Sequence, residues 1–122
     1  MTSQSSSSAS RKDLGERTAE FSDRVREWVR KMPRTLSSIE DMKQLVRSSG
    51  SVGANYIEAN EAISRDDRIY RMKLCRKESK ESEFWLRMLN ISLPIPLEME
   101  RKSLMQEAHE LMLIFNAIIR KY

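Results

Sequence analysis

The sequence predicts an all-α protein, an antiparallel up-down-up-down four-helix bundle, on three observations. Apolar residues recur at alternating steps of three and four along most of the 122 residues, the period of a helix with one buried face. Only three Gly and three Pro punctuate the chain, too few for a many-turned β protein. The hydrophobic share of 39% suffices for one core, and the length fits one domain.

Residues 1–12 are Ser-rich without apolar anchors and read as a disordered tail, leaving 13–122 as the bundle domain. The first helix opens at Asp13, a good N-cap, and Leu14, Thr18, Phe21, Val25, Trp28 and Met32 mark its inner face. Pro33 stops it. The second helix is expected to open at Ser37 or Ser38, where Ser38 and Asp41 resemble a loose capping box. Its apolar stripe is Met42, Leu45, Val52, Tyr56, Ala59 and Ile63. The stripe keeps its phase through Ser-Ser-Gly-Ser-Val-Gly at 48–53, so one unbroken helix is expected, with Gly50 and Gly53 allowing a neighbour to approach closely. Each Gly costs about 1 kcal/mol against Ala inside a helix, so such a compensation is needed.

The third helix is expected from Arg65 or Asp66 to about Ile91, capped by Ser64 and ended by Ser-Leu-Pro-Ile-Pro at 92–96. The fourth has the most regular pattern: Leu97, Arg101, Leu104, Ala108, Leu111, Phe115, Ile118 and Tyr122. Short connections between long helices make consecutive helices antiparallel neighbours.

The polar residues are patterned too. Gln44, Ser48, Ser51, Asn55 and Glu58 form a polar stripe on the second helix. On the third, Lys77, Glu78 and Glu81 fall among Tyr70, Leu74, Trp85 and Met88. Either an interhelical network of Arg47, Ser51, Asn55, Glu58, Lys77, Glu78 and Glu81 borders the core, or these stripes face solvent at the bundle's edge. Another sector of the third helix is basic, with Arg65, Arg68, Lys73, Arg76, Lys80 and Arg87, diluted by Glu83. Residues 65–80 hold seven Lys/Arg against three Asp/Glu, a net +4 equal to the formal charge of the whole chain. Such a face could track phosphates or merely confer solubility. Ile69 and Met72 share the exposed sector, and Ile114 lies off the fourth helix's stripe, which suggests a subunit interface.

Several classes of chemistry lack their residues. One cysteine, Cys75, allows neither an internal disulfide nor a Cys-pair metal site. Glu78 and Glu81 have no His at the offset of a di-iron bundle, and the one histidine, His109, sits off the core stripe, where solvation is its ordinary state. No phosphate loop or nucleophile–base pair is present. No catalytic residue, cofactor, metal or small-molecule substrate is therefore expected. The polar N-terminus has no signal-peptide pattern, and the run Leu111–Ile119 is far short of a membrane span, so a cytoplasmic protein without membrane association is expected.

Residues 44–89 resemble the signature of the 23S rRNA intervening-sequence protein family of bacterial four-helix bundles. The matching residues are Gln44, Leu45, Arg47, Ser48, Ser51, Val52, Asn55, Tyr56, Glu58 and Ala59, then Ser64, Asp67, Lys77, Glu78, Glu81, Trp85 and Leu86. Phe21, Trp28 and Pro33 fit the family's opening, and the likeness covers about residues 14–120. Arg68 departs from it, standing where the family usually has an aromatic. The resemblance implies an up-down bundle assembled into a ring-like homopentamer, with no catalytic residues. Through its relative, the accessory variability protein of diversity-generating retroelements, it also implies RNA or DNA binding and a reverse transcriptase as partner. The competing expectation is a structural or protein-interaction module that binds no nucleic acid.

Overall fold

Asp13 begins the helical part of the chain because its carboxylate accepts the Glu16 amide at 2.8 Å, satisfying a donor that the first turn leaves unpaired. The computed structural model describes residues 13–122; the tail expected over 1–12 lies outside the described residues. Four helices follow: α1 (Leu14–Arg30), α2 (Leu36–Asn60), α3 (Arg65–Met88) and α4 (Ile95–Arg120). The described residues contain no strand. They also contain no helix long and apolar enough to cross a membrane. Each helix packs on its two neighbours in a closed ring of four, α1 against α2 and α4, and α3 against α2 and α4. The connections are residues 31–35, 61–64 and 89–94, so consecutive helices run antiparallel.

The core is continuous across all four helices. Phe21, Val25, Trp28 and Met32 meet Leu45 and Val52 of α2, Leu86 and Leu89 at the end of α3, and Leu104, Leu111 and Phe115 of α4. The Trp28 indole N–H donates to the Leu97 carbonyl at 2.9 Å, which joins α1 to the first turn of α4. α2 runs unbroken through both glycines. A Cβ on Gly53 would stand 3.2 Å from the Thr18 hydroxyl of α1, and one on Gly50 would stand 3.4 Å from Arg26. The expected close approach is thus between α1 and α2.

Three element ends differ from expectation. α2 is capped by Thr35, one turn before Ser38: Thr35 accepts from the Ser38 amide at 3.2 Å, and Ser38 accepts from the Thr35 amide at 2.9 Å. Ser38 is the returning partner of that box, the place more often held by Glu or Gln. α3 stops at Met88 rather than near Ile91, because the i→i−4 ladder ends there: the Asn90 amide turns to the Arg87 carbonyl at 3.2 Å and the Ile91 amide to the Leu89 carbonyl at 2.9 Å. Ile63 lies past the end of α2 and Tyr122 past the end of α4; both are exposed and neither extends an inner stripe.

The inner face of α3 is the largest correction. Its buried residues are Met72, Cys75, Glu78, Ser79, Ser82 and Leu86, whereas Tyr70 and Met88 are exposed and Leu74 and Trp85 half-buried. Met72, assigned to the exposed sector, is buried; Ile69 and Ile114 are half-buried. Small side chains let α3 lie close against α2. Their hydroxyls are satisfied within the helix, Ser79 donating to the Cys75 carbonyl and Ser82 to the Glu78 carbonyl, both at 2.9 Å.

Candidate functional site

Two polar regions of α3 lie on different sides of it. The side toward α2 carries an interhelical seam. Arg47 donates to Glu78 at 3.2 Å and to Glu81 at 2.9 Å, the Ser48 and Ser82 hydroxyls share a buried hydrogen bond at 2.9 Å, and Arg71 donates to Asn55 at 3.2 Å. Cys75 Sγ donates to the Val52 carbonyl at 3.4 Å. Lys77 reaches only the edge of this seam, 3.9 Å from Glu81 and well exposed. Ser51 contributes its carbonyl, which accepts from Asn55 at 2.9 Å. Glu58 is exposed and takes no part among the described residues. The structure therefore brings together Arg47, Glu78 and Glu81, joins Asn55 separately to Arg71, and leaves Glu58 exposed. Every buried side-chain nitrogen or oxygen among the described residues has a partner.

Asn55→Leu should accordingly cost about 1 kcal/mol, one hydrogen bond to a half-buried Arg71. Glu58→Ala should stay within about 0.5 kcal/mol, as for other surface changes. Urea midpoints of the two variants distinguish these values, and a large loss for Glu58→Ala would contradict its placement.

The outward side of α3 is the candidate site. Lys73, Lys80 and Arg87 are exposed, and Arg68 is half-buried. Arg65 and Arg76 are engaged by the end of α4: Arg65 donates to a main-chain oxygen of Tyr122 and lies 5.6 Å over its ring, and Arg76 donates to Asn116 at 2.8 Å. Among the described residues, none of these six cations has an Asp or Glu carboxylate within 4.0 Å. Two arginines of α1 are paired instead. Arg17 pairs with Glu107 and Glu110, both at 2.8 Å, and Arg24 pairs with Glu100 at 3.2 Å, clamping α1 to α4. The hydrogen bonds that Arg17 donates to Glu107, with that carboxylate's charge, hold the Arg17 guanidinium still more firmly protonated than usual. On the far side of the ring, α1 turns an acidic stripe outward, Glu16, Glu20, Asp23 and Glu27. The outward faces of α3 and α1 thus differ in sign, basic and acidic, on helices that stand diagonally across the core.

Three further groups complete the chemistry. Burial pushes the Cys75 thiol up to about 12, so at neutral pH it stays a thiol and a poor nucleophile. His109 is not simply solvated: its Nδ1 lies 3.3 Å from Glu83 of α3, and both are half-buried. Arg101, read only as a member of a stripe, is buried with its guanidinium fully used. It meets Glu98 through two bonds at 2.8 Å, the Leu86 carbonyl at 3.0 Å and Asn90 at 3.2 Å. It thereby caps the C-terminal end of α3 from inside the core. A lone Arg in an otherwise apolar stripe was the signal for such a role.

Sequence reasoning also missed that the outward stripe of α3 interleaves aromatic and basic side chains. Tyr70, Lys73, Lys77, Lys80, Phe84 and Arg87 follow steps of three and four, and all are exposed. That spacing was visible; it was hidden by assigning Tyr70 to the core.

The family model described as "23S rRNA-intervening sequence protein" matches residues 12–117. Among solved structures, the chain is similar to a protein of unknown function from the S23 ribosomal protein family of Bacteroides thetaiotaomicron, determined by crystallography at 1.70 Å. The two are 26% identical with a TM-score of 0.72, over 88% of this chain and 98% of that one. No curated protein matches.

Proposed function

The chain belongs to the 23S rRNA-intervening sequence protein family, and from that premise we propose that it is a non-enzymatic, self-assembling protein that binds nucleic acid through the outward face of α3. The observation that carries this reading is the set of six cations without an Asp or Glu carboxylate partner. Arg17, Arg24 and Arg47 are neutralised by carboxylates of a neighbouring helix; the α3 cations are spread over the roughly 33 Å that separate Arg65 from Arg87 along the axis. Uncompensated cations in a row suit a polyanion, whose condensed counterions are released on binding. Cytoplasmic nucleic acid, RNA or DNA, is the ligand class. No step of this activity needs a nucleophile, and the Cys75 thiol is a poor one.

Self-association draws support from apolar side chains left exposed on other helices, among them Ile57 on α2 and Leu113 on α4. The ring-like homopentamer implied by the resemblance is the assembly we assign, and light scattering should return five chains per particle.

The test of binding is a salt titration followed by fluorescence anisotropy of a labelled oligonucleotide. Log K should fall linearly with log salt, with a slope of about −0.9 for each phosphate neutralised, to a limit near −5 for six contacts. Absence of binding at low salt refutes the proposal.

A second reading, a protein-interaction module, rests on a groove of about 660 Å³ between α1 and the start of α4. Trp28, Pro94, Pro96 and Leu97 line it with Asp23, Glu27 and Glu100. Such a groove suits a basic, partly apolar segment of a protein, and a reverse transcriptase is the partner class to try there. Pull-down of a protein without nucleic acid, lost on Trp28-side substitutions such as Asp23→Lys, would favour it.

A further inference from the structure

We infer that the strand held on α3 is single-stranded, gripped by base stacking on Tyr70 and Phe84 as well as by phosphate contacts. This rests on the proposed nucleic-acid binding and names its substrate class. Six positions, Tyr70, Lys73, Lys77, Lys80, Phe84 and Arg87, recur at steps of three and four and form one line along the helix. Every one of them is exposed, and no helix of the bundle covers them. Tyr70 is 56% and Phe84 46% exposed, which is unusual for rings that could bury a large apolar area. The two rings lie about 21 Å apart along the axis, with three lysines between them.

Their settings fix how the rings are presented. Phe84 packs edge-on against Trp85, with centroids 4.9 Å apart at 74°. The Arg71 guanidinium lies 5.8 Å from the Tyr70 ring and is itself tethered to Asn55. Each ring is thus flanked by the next side chain of α3 while remaining accessible, which lowers the ordering cost of binding. A duplex keeps its base faces inside the stack and offers an exposed ring nothing but sugar and phosphate. A single strand offers the faces themselves. Four cations alone would serve either form; the two aromatics among them serve only the second.

The experiment compares a labelled oligouridylate with a duplex of the same length, using the full chain in its native assembly. The single strand should bind more tightly. Tyr70→Ala with Phe84→Ala should weaken single-strand binding by about 5- to 150-fold for each ring removed, and duplex binding by less than about twofold. Tyr70→Phe and Phe84→Trp, which keep the π-faces, should restore the affinity. Equal losses on duplex and single strand, or none on either, overturn the inference while leaving phosphate binding by α3 in place. If the Ala variants keep single-strand affinity but dissociate the assembly in light scattering, the stripe is a contact with a second copy, and the inference is overturned on that ground. Failure of the wild type to bind either nucleic acid removes both this inference and the proposal beneath it.

Discussion

Lys73, Lys80 and Arg87 replaced together by Glu should lower nucleic-acid affinity by about a thousandfold at roughly 50 mM salt. Each phosphate neutralised adds about 0.9 to log K for every tenfold drop in salt, and three contacts vanish together. The slope of log K against log salt should fall by nearly 3 in the same titration. These three side chains are the right choice because they are exposed and carry no internal partner among the described residues, whereas Arg65 and Arg76 reach α4. Reversal at Arg76 would disturb the contact with Asn116 and confuse binding with folding. The triple variant should keep the wild-type urea midpoint. An unchanged salt slope would place the binding surface elsewhere.

Arg101→Met should have the largest effect on stability, a loss of about 3 kcal/mol and a fall in Tm on the order of 10 °C. The methionine fills much of the volume but removes the donors to the Leu86 carbonyl, to Asn90 and to Glu98 at once. The cost is below that of a fully buried broken pair because Glu98, 29% exposed, regains water. The same pair gives an acid signature. The hydrogen bonds from Arg101 hold the Glu98 carboxyl below its usual range, with the charges of Arg101 and Lys102 adding to the effect. A carboxyl that is harder to protonate in the folded state stabilises the fold above its unfolded value of about 4.3. That contribution disappears as the pH falls through the lower folded value. The difference between wild type and variant should therefore be largest at neutral pH and narrow in acid to the part that comes from the Leu86 and Asn90 bonds. Chemical denaturation at a series of pH values checks both claims, and a constant difference would separate Glu98 from the effect.

How much of this was legible depended on which side chains each helix buries. α1 and α4 bury large apolar groups at helical spacing, so Phe21, Val25, Trp28, Leu104, Leu111 and Phe115 announce their inner faces. Asp13 and Ser64 are legible as caps because a side-chain oxygen before a periodic run has one obvious use. The glycines of α2 were readable because the apolar stripe kept its phase across them. α3 defeated the same logic. It buries Cys75, Ser79 and Ser82, whose value lies in their small size, and exposes Tyr70 and Phe84, whose bulk suggests a core. Hydrophobic periodicity ranks residues by transfer free energy, and a tight helix–helix contact selects for volume. The candidate cations were identified by position alone; their lack of Asp or Glu carboxylate partners is a tertiary property that no spacing encodes.

The opposite charges of α1 and α3 have a kinetic consequence. A particle with cations on one flank and carboxylates on the other carries a transverse electric dipole, and the field of a polyanion exerts a torque on it. The molecule would turn its α3 side toward the strand while still about a Debye length away, about 10 Å at 0.1 M salt. Fewer encounters would then be wasted on the wrong flank. Neutralising the acidic stripe of α1, which touches no ligand in this scheme, would slow arrival more than it changed departure.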